Sequence, residues 1–207
     1  MAQDNTLARS LHDVGLAAWF GGSLMGAVGL NGAAATVDQP QQRLRVANSG
    51  WARWTPVNLA GIAAHLAGGA VLLAGNKSRL AGQRGVAGAT LAKAALTGLA
   101  LGATAYSRAL GQRLVQAGEV PVEGGTTPSG GTPPELAGAQ RQLTVLQWAI
   151  PGLTGAVLVL NALMGEQQRP QRVTGGLLGG LRGRLPVLAL AGTGLVVRAR
   201  RRRKPTR

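Results

Sequence analysis

The chain has 207 residues, no cysteine, a formal net charge of +15, 33 glycines and 3% aromatic residues. The length is that of one domain, and disulfides, thiolate metal sites and cysteine nucleophiles are excluded. The charge is uneven, with seven of the 22 lysines and arginines lying between Arg198 and Arg207. Long uncharged runs fill most of the remainder, which does not suit a nucleic-acid-binding surface.

Residues 1–10 are polar, and Asp4 beside the single Arg9 does not make the basic leader of a secretory signal. Between Asp13 and Asp38 run 24 uncharged residues. As a helix rising about 1.5 Å per residue, they would cross a bilayer core of about 30 Å. Gly15, Ala18, Gly22, Gly26, Gly29 and Ala33 recur there at steps of three and four. Such a stripe lets helices approach closely in lipid, so Leu11–Ala35 is expected to be the packing spine.

The segment from Thr36 to Thr55 reads as a connection carrying Arg43, Arg45 and Arg53, with Trp51 and Trp54 as an interfacial belt. A second span is predicted from Pro56 to Gly75, with Pro56 in its first turn. A basic turn from Asn76 to Gly85 leads to a third span, Val86 to Tyr106, with a helical tail to Gln116. Residues 117–138 (AGEVPVEGGTTPSGGTPPELAG) are dominated by Gly, Pro, Thr and Ser and are predicted to be a disordered outer loop. The fourth span is Leu143 to Met164, where Pro151 would free the Gln147 carbonyl.

The fold predicted is all-α, an integral membrane four-helix bundle over residues 11–165. A basic cytoplasmic tail, 166–207, contains a candidate fifth hydrophobic or interfacial segment at 177–197. Spanning there would place Arg182 and Arg184 in the bilayer, at about 2.5–3.5 kcal/mol each near its centre. With four spans and both termini inside, cytoplasmic segments hold 15 Lys and Arg and outer loops 6, in keeping with the positive-inside tendency.

Polar residues recur at helical spacing in each span, which places them inward and leaves Leu, Val and Ile to lipid. The faces are His12, Trp19 and Gly26 with Ser23 and Asn31; Asn58, Gly61, His65 and Gly68; Thr90, Lys93, Thr97 and Thr104; and Thr144, Gln147, Pro151, Thr154 and Asn161. Interhelical hydrogen bonding accounts for most of them. His65, Lys93, Thr97 and Gln147 are the candidate lining of a polar intramembrane cavity, because ionisable groups at such depth point to function. His12 and His65 are placed at different depths. His12 lies about eleven residues, or roughly 16 Å, from the centre of its span, while His65 is central, so one iron would not meet both.

The basic run Arg198, Arg200, Arg201, Arg202, Arg203 and Lys204 is expected to attract anionic lipid headgroups and lock topology. No Walker loop, zincin motif, nucleophile elbow or kinase signature occurs, and no metal site is predicted.

The segment His12-x6-Trp19-x-Gly21-Gly22 resembles the opening helix of small bacterial membrane proteins of the copper-resistance D type. It is also similar to that of compact membrane protoporphyrinogen oxidases that bind haem. The resemblance spans about eleven residues and implies that His12, beside Trp19, is a haem or metal ligand near the cytoplasmic face. More broadly, WARWTPVN, VPVEGGTTPSGGTPPE and NALMGEQ resemble segments of small multi-span membrane proteins of GC-rich bacteria. That likeness implies location in the bacterial inner membrane.

The function expected is that of a non-enzymatic multi-pass protein with no cofactor, a structural, lipid-associated or accessory subunit. Its partners would be membrane lipids, a second copy through GxxxG faces at Gly22/Gly26 and Gly98/Gly102, or a membrane complex, with no specific nucleic acid. The competing expectation is a haem-binding redox or small-solute transport protein built around the polar cavity.

Overall fold

The structure is a computed structural model that describes residues 5–75 and 84–167. The tail from Arg198 to Lys204, the segment 177–197 and most of the basic turn after Gly75 lie outside the described residues. Four helices follow in order: α1 (Thr6–Ala35), α2 (Pro40–Gly75), α3 (Arg84–Gln116) and α4 (Pro134–Gln167). Residues up to Asn161 form one compact unit; the second, Ala162–Arg207, is described only through the last turns of α4. Helices α1, α2 and α4 are long and apolar enough to cross a membrane. Helix α3 is long as well, but Lys93, Arg108 and Arg113 interrupt its apolar runs.

Helices α1 and α2 form an antiparallel hairpin joined through 36–39, and small residues set how closely they pack. A Cβ added at Gly15 would stand 2.3 Å from the Gly61 carbonyl oxygen, and one at Gly68 would stand 2.4 Å from that of Ala8. The rings of Trp54 and Trp51 lie over Gly22 and Gly26, where an added Cβ would come within 1.9 and 2.1 Å of them. The expected spine therefore holds from Gly15 to Gly26, but Gly29 and Ala33 do not continue it. Gly26–Leu30 is a π-helical turn, closed by the Asn31 N–H on the Gly26 carbonyl. The wider turn moves the inward face along the sequence, so Asn31 and Ala34 are buried instead.

The connection expected at Thr36–Thr55 is corrected: α2 begins at Pro40 and carries Arg43, Arg45 and Arg53 on its own turns. Pro40 already supplies a helix start, and Pro56 lies within the helix. Trp51 and Trp54 lie on the α1 glycines because the glycine faces leave room for an indole beside the backbone.

Two apolar clusters complete the unit. In one, Leu16 and Trp19 of α1 meet Ile62 of α2, Ala100 of α3, and Ile150 and Val157 of α4. The second joins Leu44, Leu110, Leu114, Ala139 and Leu143 around Val122, a residue of the segment between α3 and α4.

That segment corrects the expectation of disorder at 117–138. Gly118 turns the chain out of α3 with φ of 72°, a conformation suited to glycine. Val122 forms an isolated bridge with Pro128, and α4 starts at Pro134. Low apolar content leaves little side chain to bury, but here the backbone carbonyls are recognised. The Arg43 guanidinium donates to the Val37 carbonyl at 2.7 Å and to those of Val122 and Glu123 at 3.4 and 3.3 Å. The Gln140 amide donates to Gly124 and Gly125, and the Thr144 hydroxyl donates to Thr126. Val122, 1% exposed, anchors the segment in the second cluster, with Val120 packed against it.

Candidate functional site

The polar residues of α1 and α2 meet in a locally two-fold arrangement. The ring of His12 donates through Nδ1 to the His65 carbonyl at 2.8 Å, and His65 Nδ1 donates to the His12 carbonyl at 3.0 Å. A carbonyl only accepts, so both imidazoles carry their proton on Nδ1 in these bonds. The two rings stack at 4.0 Å between centroids with 17° between planes, and both are buried. The surrounding small residues repeat the symmetry. Ala8, His12 and Gly15 on α1 correspond to Gly61, His65 and Gly68 on α2. Gly15 faces the Gly61 carbonyl and the His65 amide, and Gly68 faces the Ala8 carbonyl and the His12 amide. The pattern small-x3-His-x2-Gly, present in both helices, is the sequence signal for this pairing.

The expected depth difference between His12 and His65 is thus overturned. Starting α2 at Pro40 shortens the connection to four residues, 36–39, and brings the two histidines level. Lys93 of α3 joins them, its ammonium donating to His12 Nε2 at 2.6 Å. The lysine therefore has a neutral acceptor, and Arg9 and Asp13 lie within electrostatic range. Trp19 stands edge-on to His65 at 6.4 Å and donates to the Thr104 hydroxyl of α3 at 3.1 Å.

A haem at His12 does not fit this arrangement. One ring face lies against His65, Nδ1 is engaged by a carbonyl, and Nε2, the nitrogen left for iron, is engaged by Lys93. Among the described residues no group of three or more His, Cys, Asp or Glu side chains is placed to hold a metal ion.

The predicted polar cavity is corrected in its lining. A cavity of about 350 Å³ lies on the other side of Trp19, between the hairpin, α3 and α4, with Gly125 and Thr126 on its wall. Of the four residues expected around it, only Gln147 lines it; His65, Lys93 and Thr97 do not. Thr97 is half-buried one turn beyond Lys93. The histidines are consumed by the hairpin, where glycines bring the backbones close enough for side-chain-to-carbonyl bonds. A chain of hydrogen-bonded side chains lies on the cavity wall instead, together with Asn48, Thr104, Ser107 and Arg108. Trp51 Nε1 donates to Asn31 Oδ1 at 3.1 Å, and Asn31 Nδ2 donates to Gln147 Oε1 at 2.9 Å. Thr126 donates to the same Gln147 oxygen at 3.3 Å. The π-turn makes this chain possible by rotating Asn31 inward. Asn58 also lines the cavity, and its Oδ1 is buried without a hydrogen-bond partner among the described residues.

Compared with protein-family models, curated proteins and solved structures, the chain matches none.

Proposed function

We propose that this is a multi-pass membrane protein of the lipid-associated or accessory class, with the hairpin of α1 and α2 as its rigid scaffold. The observation that carries the reading is an inverted distribution of polarity. His12, Ser23, Asn31, His65, Gln140 and Thr154 are all buried, while Val14, Met25, Leu59, Leu91, Val145 and Val159 are each at least 59% exposed. In water the exposed set would form an aggregation-prone surface; in lipid it is the expected outer face. Helices long enough to cross a bilayer support the same reading. Four spans, termini on the cytoplasmic side and a basic tail on anionic headgroups complete the proposal, in accord with the excess of Lys and Arg in the segments assigned inside.

The test is extraction followed by topology mapping of the full chain in a bacterial host. The protein should stay in the membrane pellet at alkaline pH. Reporters fused at the C-terminus and within 117–133 should report opposite sides. Release into the alkaline supernatant would overturn the membrane assignment. Two reporters on one side would overturn the four-span arrangement.

A further inference from the structure

The cavity behind Trp19 has three properties that together define a ligand. Its volume of about 350 Å³ falls at the lower end of the range of about 300–1,000 Å³ typical of ligand pockets. Its walls are mainly apolar, with Trp19, Ile62, Leu101, Leu114, Leu143 and Ile150 contributing from all four helices. Its lining also includes Leu59 and Val115, which are 60% and 54% exposed, so it reaches the outer surface along α2 and α3. In the four-span reading Leu59 lies within a span and faces hydrocarbon, while Val115 lies on the part of α3 beyond its span. In the chain through Trp51, Asn31 and Gln147, both side-chain oxygens already accept a hydrogen bond. Asn58 is different, because its carbonyl oxygen is desolvated and has no donor among the described residues. A buried acceptor without a partner costs free energy that an incoming donor recovers.

We infer that this cavity binds one single-chain amphiphile bearing a hydroxyl group, its hydrocarbon chain among the apolar walls and its hydroxyl donating to Asn58 Oδ1. A second hydrocarbon chain does not suit the volume, and Arg108, the charged residue on the wall, is exposed rather than set among the apolar side chains. The inference rests on the membrane reading for the source of the ligand. Binding is measured in detergent, so its failure and a failed topology experiment are separate results.

Three of the four tryptophans, Trp19, Trp51 and Trp54, line the cavity, and the fourth, Trp148, is exposed. Full-length protein carrying Trp148→Phe therefore reports on the site through its fluorescence. The probes are 11,12-dibromododecan-1-ol, whose bromines quench tryptophan on contact, and 1,2-dibromododecane, which lacks the hydroxyl. The alcohol should quench saturably, and unbrominated dodecan-1-ol should restore the signal. Asn58→Leu should weaken the alcohol by about fivefold to tenfold, as expected for one hydrogen bond, and leave dibromododecane unchanged. Gly111→Phe should reduce saturable quenching by both probes, since Gly111 lines the cavity and an added Cβ there meets nothing within 4 Å. Linear quenching that dodecan-1-ol does not reverse would overturn the site, a result obtained on the unaltered cavity whatever the folding of the variants. Equal affinity for the alcohol in native protein and Asn58→Leu would overturn the role of Asn58.

Discussion

His12 and His65 each donate a ring proton to the other's main-chain carbonyl while their rings lie stacked. The reciprocity fixes the relative height of α1 and α2, because a slip of either helix breaks both bonds together.

The seam depends on missing side chains. Gly15→Ala and Gly68→Ala each place a methyl group within 2.4 Å of a backbone oxygen of the facing helix. Each should destabilise the protein by about 1–3 kcal/mol, the usual range for overpacking. Gly98→Ala and Gly102→Ala meet nothing within 4 Å and should be neutral or stabilising by up to about 1 kcal/mol. Thermal unfolding in detergent separates the two pairs.

The histidine bond is tested by replacement rather than deletion alone. Asparagine can present an amide N–H near the position of the histidine Nδ1, so His12→Asn should lose less stability than His12→Ala. A double-mutant cycle with His65→Ala should give a coupling of about 0.5–1.5 kcal/mol. Additive losses would show that the stacked rings act independently.

Lys93 and His12 make a second, directional prediction. Removing the acceptor with His12→Ala leaves a half-buried ammonium without its partner, whereas Lys93→Met removes the charge itself. Lys93→Met should therefore change stability by less than about 1 kcal/mol, and His12→Ala should be partly rescued by adding Lys93→Met. The denaturation midpoints of the two single variants and the double variant measure this order.

The segment between α3 and α4 is held by burial and carbonyl recognition. Val122→Asp places a charge where the side chain is 1% exposed and should speed proteolytic cleavage within 117–133 severalfold. Glu119→Gln removes the ion pair with Arg45, whose partners are 57% and 62% exposed. Its effect on cleavage should be negligible, as for most surface pairs, worth about 0–1 kcal/mol. Limited proteolysis in detergent compares them.

Helix periodicity made the inward faces legible. His12, Trp19, Ser23, His65, Gly68 and Thr154 are all buried, as the spacing requires. Their partners were less accessible to sequence reasoning. A run of Gly, Pro and Thr contains no cue that Arg43 and Gln140 from distant turns will satisfy its carbonyls. The levels of His12 and His65 depended on where α2 begins, and charge patterning favoured Pro56 because Arg43, Arg45 and Arg53 suited a polar connection. Length alone did not distinguish that connection from a helix extending beyond the apolar core. Asn58 was legible as an inward residue, but its unanswered oxygen emerges only from three-dimensional packing.

The π-turn at Gly26–Leu30 divides α1 into two segments whose rotational settings are independent. Below it, Gly15, Gly22 and Gly26 follow the histidine seam; above it, Asn31 is turned toward Trp51 and Gln147. Removing one residue from this turn would restore ordinary helical winding and leave the upper segment facing as it does now, because the wider turn accommodates one extra residue, about 100° of α-helix. The histidines would keep their register and Asn31 its place between Trp51 and Gln147. Single-residue deletion thus straightens α1 while preserving both the hairpin and the amide chain of the cavity.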